Sequence, residues 1–225
     1  MSISIIIPVL NEEKLIKNSI ESLRQLNPLE IIVADGGSTD ETCYIAQSCG
    51  AKIVKSAKGR GMQLQAGAAE AKGEILFFIH ADAHISEKLR PIHLETAINE
   101  GYTGGFLSLR FNEQSPSIFL VEFFANLRSR LFQLPYGDQA IFIKKDIFEE
   151  LGGFKEYPFL EDLDFVSRVK KIGKLKCLPF SVTVSARRLK KGYPLSPIAV
   201  SLRNVLIAML FKLGVSPHKL IRLYK

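Results

Sequence analysis

Cysteine is scarce in this 225-residue chain, and carboxylates are missing from one end of it. The three cysteines, Cys43, Cys49 and Cys177, form no C-x-x-C pair. That excludes zinc-ribbon and iron–sulfur spacings, and a small odd number fits a reducing compartment better than a disulfide scaffold. No apolar run reaches the 18 or so residues of a membrane-crossing helix; the nearest is Val205 to Phe211, closed off by Arg203 and Lys212. The start, Met-Ser-Ile-Ser-Ile-Ile-Ile-Pro, has no basic flank and is interrupted at Pro8, so no signal peptide is expected and the location is read as cytoplasmic. No GxxxxGK[ST] string occurs and no GxGxxG follows a strand, which argues against a P-loop or a dinucleotide fingerprint. Internal repeats, low-complexity tracts and linker-like stretches are absent as well.

What is present is a globular composition, 47% hydrophobic and 24% charged, enough to bury a core. The charge is divided unevenly. Residues 1–164 hold 16 Lys/Arg and all 23 Asp/Glu, a net of −7, whereas residues 165–225 hold 14 Lys/Arg and no acid. An acidic body with a basic end points to an anionic partner, such as substrate phosphates or a membrane surface. Nucleic acid is not expected, because the basic residues are not interleaved with a stacking platform.

Hydrophobic periodicity predicts alternating strands and helices. Ile3–Val9 reads as a strand buried on both faces, followed by a helix from Asn11, as its cap, to Leu26. Strands are predicted at 30–34, 51–55 and 74–79, with helices opening at Ser38 and Gly59 between them. A helix over 86–100 and a strand over 102–110 follow. The second half reads as a helix at 117–132, a turn at 135–138, a strand at 140–144, and helices at 163–172, 196–213 and 217–224. Strand–helix alternation implies an α/β fold on a mostly parallel sheet, with ligands at the carboxyl ends of the strands.

Four strings carry candidate chemistry. Asp35-Gly-Gly-Ser-Thr-Asp40 ends a strand in a carboxylate and lets a flat group approach the backbone at Gly36 and Gly37; the same string would serve as a turn and helix cap. His80-Ala81-Asp82-Ala83-His84 brings two imidazoles and a carboxylate to a strand exit, donors suited to Mn²⁺ or Mg²⁺. Glu161-Asp162-Leu163-Asp164 opens a helix, where acids complement the dipole and where one could act as a general base. Lys58-Gly-Arg60-Gly-Met-Gln63 offers cations at a helix start, a setting for an anion.

In order and spacing these strings resemble family 2 glycosyltransferases, which have the GT-A fold. Ser4-Ile-Ile-Ile-Pro8-Val-Leu-Asn-Glu-Glu13 is similar to that family's opening strand and loop. Asp35 to Asp40 resembles its DDGSTD element with Gly36 in place of the second acid. Ala71 to Asp82 resembles the segment ending in the DxD metal motif, with His80 at the first Asp, and Glu161-Asp162 resembles the ED motif. Gly137-Asp138-Gln139 and Ser185-Ala-Arg-Arg188 resemble the rSAM/selenodomain-associated transferase 2 subgroup.

The resemblance implies a mixed, mostly parallel sheet in a transferase domain over 1–190, divided near 110 into a nucleotide-sugar half and an acceptor half, with a basic helical appendage over 191–225. It implies a nucleotide-sugar donor (UDP- or GDP-linked), a divalent metal (Mn²⁺ or Mg²⁺), and metal-assisted inverting displacement. Pro8, Leu10 and Glu12 would line the nucleotide pocket, and Asp35 would accept from the base edge or the ribose. Asp82 would face the metal or the donor's ribose-phosphate, with His84 as a further ligand. Asp162 would be the catalytic base beside Glu161. Gly37, Lys58, Arg60, Gln63, His80, Ala81, Asp138, Gln139, Arg187 and Arg188 complete the expected substrate-binding set. The apolar residues of 118–132 and 198–213, flanked by cations, suit peripheral membrane contact and a lipid-linked acceptor, or packing and dimerisation. Two other readings are a sugar-nucleotide nucleotidyltransferase, disfavoured by the acidic, glycine-free loop after the first strand, and a non-catalytic nucleotide-sugar-binding protein recruited by its basic tail.

Overall fold

The computed structural model describes residues 1–186 and 197–224. Its first half builds strands β1 (Ile3–Val9), β2 (Glu30–Asp35), β3 (Lys52–Lys55) and β4 (Ile75–Phe78), linked by helices α1 (Ile16–Leu23), α2 (Thr42–Ser48) and α3 (Arg60–Ala69). Strand β5 (His84–Ile85), helix α4 (Pro91–Asn99), strand β6 (Gly104–Phe111) and helix α5 (Pro116–Phe132) follow. A 3₁₀ turn at Gly137–Gln139 leads into β7 (Ile141–Lys144), α6 (Lys145–Glu150), α7 (Glu161–Ile172) and β8 (Leu175–Val184), then α8 (Pro197–Lys212) and α9 (Pro217–Tyr224).

The strands join in one sheet in the order β3-β2-β1-β4-β7-β6-β8-β5. The first four run parallel, with Val9 opposite Asp35 and Ile6 opposite Phe78. Strand β7 lies antiparallel to both β4 and β6, β8 is parallel to β6, and β5 closes the order antiparallel to β8. This is the mixed, mostly parallel α/β sheet expected. Because β1, β2, β3 and β4 share a direction, their carboxyl ends and outgoing loops lie along one edge.

Alternation along β1 divides the core. Ile5 and Ile7 join Val33, Phe77 and the helix residues Ile20 and Leu94 on one face, while Ile6 joins Ile32, Leu76, Phe78 and Leu64 on the other. On the second face Phe78, Phe148, Phe154 and Phe165 form a ring cluster with centroids 4.8–5.5 Å apart. Such tilted and edge-on pairs add to area burial. The cluster pins α6, α7 and the segment between them over β4, so the start of α7 stands beside the exit of β4.

Several boundaries differ from expectation. The first helix begins at Ile16 rather than Asn11; Asn11 takes a left-handed φ of 56°, and its side chain accepts from the Thr39 N–H at 2.9 Å. Helix α4 begins at Pro91 because the residue before a proline is held extended, as Arg90 is. Strand β8 was not anticipated. Pro179 interrupts its pattern, and the β6–β8 register shifts opposite that point, between Phe106 and Ser108; a bulge is where a sheet tolerates proline. Helices α8 and α9 fall as expected, α8 against α5 and α9 against α8.

Helix α3 lies unusually close to the sheet. A Cβ on Gly67 would stand 2.6 Å from Ile6 Cγ2 and 3.4 Å from Ala34 Cβ, and Ile6 is fully buried and branched, so it cannot swing away. Gly67→Val is expected to lower stability by about 2–3 kcal/mol through overpacking, a melting-point drop of about 5 °C or more at this size. A calorimetric scan showing an unchanged midpoint would contradict the close approach.

Candidate active site

At the carboxyl edge of the parallel strands, the loops after β1 and β2 are stitched together. Asn11 N donates to Ser38 Oγ at 2.9 Å, Glu12 N to Thr42 Oγ1 at 2.8 Å and Glu13 N to Asp40 Oδ2 at 3.2 Å. In return, Thr39 N donates to Asn11 Oδ1 and Glu41 N to Glu13 Oε2. Asp40 also accepts from Thr42 N at 3.0 Å, a local turn bond just before α2; the residue at the helix cap itself, Glu41, makes no side-chain capping bond. These bonds satisfy loop backbone that no strand can pair. They leave Pro8, Leu10 and Glu12 half-buried along one rim and Gly37 exposed at φ +96° on the other.

Asp35 ends β2 and is 4% exposed. Its Oδ1 accepts from Ser38 N at 2.9 Å. Burial pushes its carboxyl up, but hydrogen bonds from Ser38, Cys43 and Gly37 outweigh burial and hold it below the usual carboxylate range. Asp35 therefore stands ionised at the rim at neutral pH.

Gln63, expected to touch substrate, is turned inward. Its Nε2 donates to Val9 O at 2.6 Å and Ala34 O at 2.9 Å, clasping the ends of β1 and β2. A Cβ on residue 36 would come within 3.0 Å of Gln63 Cδ and Nε2, which accounts for glycine there. Gln139 is likewise internal: its Nε2 donates to Leu107 O at 3.2 Å, and its Oε1 accepts from Ser129 Oγ, Tyr136 N and Arg128 Nη2. Both glutamines hold the scaffold and neither reaches the pocket.

Further along the edge, four chain segments surround one small hollow that is partly open to solvent. Arg60 from α3, His80 after β4, Gly137 from the 3₁₀ turn, and Glu161 and Asp162 from α7 form its polar wall; Leu64, Phe78 and Phe154 are among the apolar residues below. Asp162 is anchored twice, with Oδ2 accepting from Gly137 N at 2.6 Å and Oδ1 from Leu163 N at 2.7 Å. A carboxylate has lone pairs beyond those two bonds, and Asp162 is half-buried in the wall. Leu160, immediately before α7, has φ +66°, and Ala140, immediately after the 3₁₀ turn, has φ +47°. Strained backbone of this kind persists only where its surroundings dictate it, and it gathers at functional sites.

Glu161 is 2% exposed. Its Oε1 lies 3.7 Å from Arg60 Nε and has no hydrogen bond among the described residues. Burial, reinforced by the Asp162 charge and opposed by Arg60, pushes its carboxyl up to about 7. The pair thus joins a carboxyl that titrates near neutrality to a neighbour whose geometry is fixed.

The remaining expected residues spread outward. Ala81 is buried and Asp82 half-buried in the turn that follows His80, where Ala83 N donates to His80 O. Lys58 is exposed before α3, and Asp138 is half-buried in the 3₁₀ turn. His84 sits in β5 opposite Thr183 with an exposed side chain, and no group of three His, Cys, Asp or Glu side chains suited to a metal gathers among the described residues. Arg187 and Arg188 lie outside the described residues. The Gly137 N–H was not foreseen as a functional group, although the turn-forming Pro135-Tyr-Gly-Asp138 and the Gly137-Asp138-Gln139 string both marked its position.

Comparison with known proteins bears on the family and the fold. The model of the family described as glycosyl transferase family 2 matches residues 4–152. The chain belongs to glycosyl transferase family 2. A probable glycosyltransferase of Bacillus subtilis, YdaM, is 26% identical over 211 residues, covering 80% of this chain and 50% of that protein. A 4,4'-diaponeurosporenoate glycosyltransferase of Staphylococcus aureus is 36% identical over 107 residues, 44% of this chain and 28% of that protein. The chain therefore spans half or less of the length of these curated relatives. Among solved structures, a mannosyltransferase of Pyrobaculum calidifontis in complex with GDP-Man and Mn²⁺ superposes with a TM-score of 0.67 at 21% identity, covering 96% of this chain and 65% of that one. Glucosyl-3-phosphoglycerate synthase of Mycobacterium tuberculosis, in complex with Mn²⁺ and UDP-glucose, gives 0.63 at 21% identity, covering 95% and 79%. These likenesses establish the GT-A fold for this family member.

The Glu161 environment has a consequence for stability. A carboxyl raised in the folded state favours its protonated form there, so the cost of ionising it is absent below about pH 4.5 and grows as pH rises through about 7. Glu161→Gln is expected to match the parent protein at pH 4.5 and to melt about 5 °C higher at pH 8. A variant that melts lower than the parent at pH 8 would show that ionised Glu161 is stabilised by Arg60 rather than strained.

Proposed function

We propose that the protein transfers a glycosyl group from a nucleotide-sugar donor to an acceptor hydroxyl by inverting single displacement. The observation that carries this reading is Asp162, its Oδ2 fixed at 2.6 Å by the Gly137 N–H in a hollow shared with His80 and Arg60. A carboxylate held in one orientation is suited to take the proton of an attacking hydroxyl. A single such carboxylate, acting from the face opposite the leaving group, gives inversion at the anomeric carbon, by analogy with hydrolases.

In this reading the rim made by Pro8, Leu10, Glu12 and Asp35 holds the nucleoside. Lys58 and Arg60 face the diphosphate, Arg60 as a fork matched to phosphate oxygens. Strands β2 and β4 lie two interstrand spacings apart, about 10 Å, a span that a nucleoside diphosphate can bridge from Asp35 to the exit of β4. Asp82, a half-buried carboxylate at that exit, fits Mn²⁺ or Mg²⁺, since such ions are commonly held by one or two carboxylates together with substrate phosphates. When bound, the ion would neutralise charge collecting on the leaving diphosphate. Glu161, raised toward neutrality, tunes the field at Asp162. The Gly137-Asp138-Gln139 string supports the selenodomain-associated subgroup, and the division into a 1–190 domain and a 191–225 appendage belongs to the same reading, as does action at the cytoplasmic face.

Asp162→Asn is expected to keep nucleotide-induced thermal stabilisation and to lose donor turnover by about 100-fold or more. Normal turnover in that variant would move the base elsewhere. Asp82→Ala is expected to abolish the extra stabilisation that Mn²⁺ adds to UDP or GDP, measured by thermal shift; an undiminished increment would remove Asp82 from the site. Hydrolysis of a panel of sugar nucleotides identifies the donor, and inactivity toward every one of them would overturn the transferase reading.

A further inference from the structure

Helix α5 is apolar on two opposite sides. Ile118 and Val121 are buried against the body. Phe119, Phe123, Phe124 and Leu131 point the other way and are exposed, within an arc of about 140° at 100° per residue. Helix α8, packed beside it, repeats the arrangement: Val200 and Ile207 face inward, and Leu202, Leu206 and Met209 stand in solvent. Phe119, Leu131 and Leu202 are each 60% exposed or more. Two neighbouring helices thus present a continuous apolar surface larger than scattered surface residues explain.

The charge around this surface has one sign. Helices α5, α8 and α9 present exposed Arg130, Lys212, Lys219 and Arg222, while Arg128 is turned to Tyr136 and Gln139 and the Arg203 Nε is buried; the single acid on these helices is Glu122. Glu122 is turned to the sheet, its Oε2 accepting from Phe111 N at 3.2 Å. At the joint ends of α5 and α8, Lys170 Nζ donates to Phe132 O. There burial, reinforced by the Lys170 charge, holds the Lys212 ammonium below the usual lysine range. Cations crowded beside exposed phenylalanines and leucines complement phosphate headgroups above acyl chains. A second copy of the chain would place like charge against like across an isologous contact. No helix among the described residues is long and apolar enough to cross a membrane, so these helices would lie in the interfacial plane.

We propose that the α5–α8 face is a docking surface for an anionic lipid bilayer, seated with both helix axes parallel to the membrane. The geometry also joins this face to the hollow. The chain leaves α5 and within five residues reaches Gly137, whose N–H holds Asp162; Arg128 of α5 stacks on Tyr136 at 3.5 Å, and Ser129 bonds Gln139. A bilayer on α5 lies next to the turn that positions the proposed base, so the acceptor class it favours is a hydroxyl or phosphate carried on a lipid. The docking surface stands independently of the transferase reading, and only the acceptor class rests on it.

The test is co-sedimentation of the 225-residue chain with vesicles of phosphatidylcholine alone and with about one-third phosphatidylglycerol, at low and high salt. Binding is expected to the anionic vesicles, at least about tenfold weaker to the neutral ones and weakened by salt. The double variant Phe123→Glu/Met209→Glu is expected to lose it by about tenfold or more, while keeping the circular dichroism and the nucleotide-induced thermal shift of the parent. Lys212→Glu, which leaves the apolar face intact, is expected to weaken binding in the same direction. Equal binding to both vesicles, no binding at all, or a concentration-dependent dimer in light scattering that the double variant abolishes would each overturn the proposal. Loss of vesicle binding with donor hydrolysis intact would separate the surface from the active site.

Discussion

The bond from the Gly137 N–H to Asp162 Oδ2 joins the two segments on which the candidate site depends. One comes off α5 through a 3₁₀ turn, and the other opens α7 from a left-handed residue. Neither segment is regular enough to hold itself there. The phenylalanine cluster around Phe78 fixes α7 over β4, Gln139 fastens the turn from within, and the short bond closes the gap between them. Without it the hollow would lack a wall, and Asp162 would have only its own helix end to orient it.

Electrostatics follow from the same placement. Two adjacent carboxylates at the start of α7 cannot both be solvated, because one is buried. The buried one is driven toward its neutral form, and Arg60 from α3 limits how far. Other carboxylates are matched by cations at the surface, Glu70 by Lys52 and Glu100 by Lys176, and Asp164, two residues beyond Asp162, pairs with Arg168.

Much of this was legible in the chain. Strand β1 announces itself as a nearly continuous β-branched run, and Asp35 ends a strand, His80 follows one and Asp162 stands in the first turn of a helix. What was not legible depended on tertiary partners. Strand β8 hides behind Pro179, which only a bulge accommodates. The two residues of β5 are too short for periodicity to register. Gln63 and Gln139 are expected to bind substrate from the strings they stand in; only packing reveals that backbone carbonyls use them first. Asn11 read as a cap, yet the neighbouring loop needed its side chain more than the helix did.

The space shared by Gly36 and Gln63 has a wider meaning. A Cβ at position 36 would come within 3.0 Å of this amide, so a side chain there would press on the brace between β1 and β2. The protein has exchanged a side chain at the mouth of β2 for a brace between neighbouring strands. The rim at the end of β2 is thus bare of a side chain at position 36, and the floor beneath it is tied to two strands.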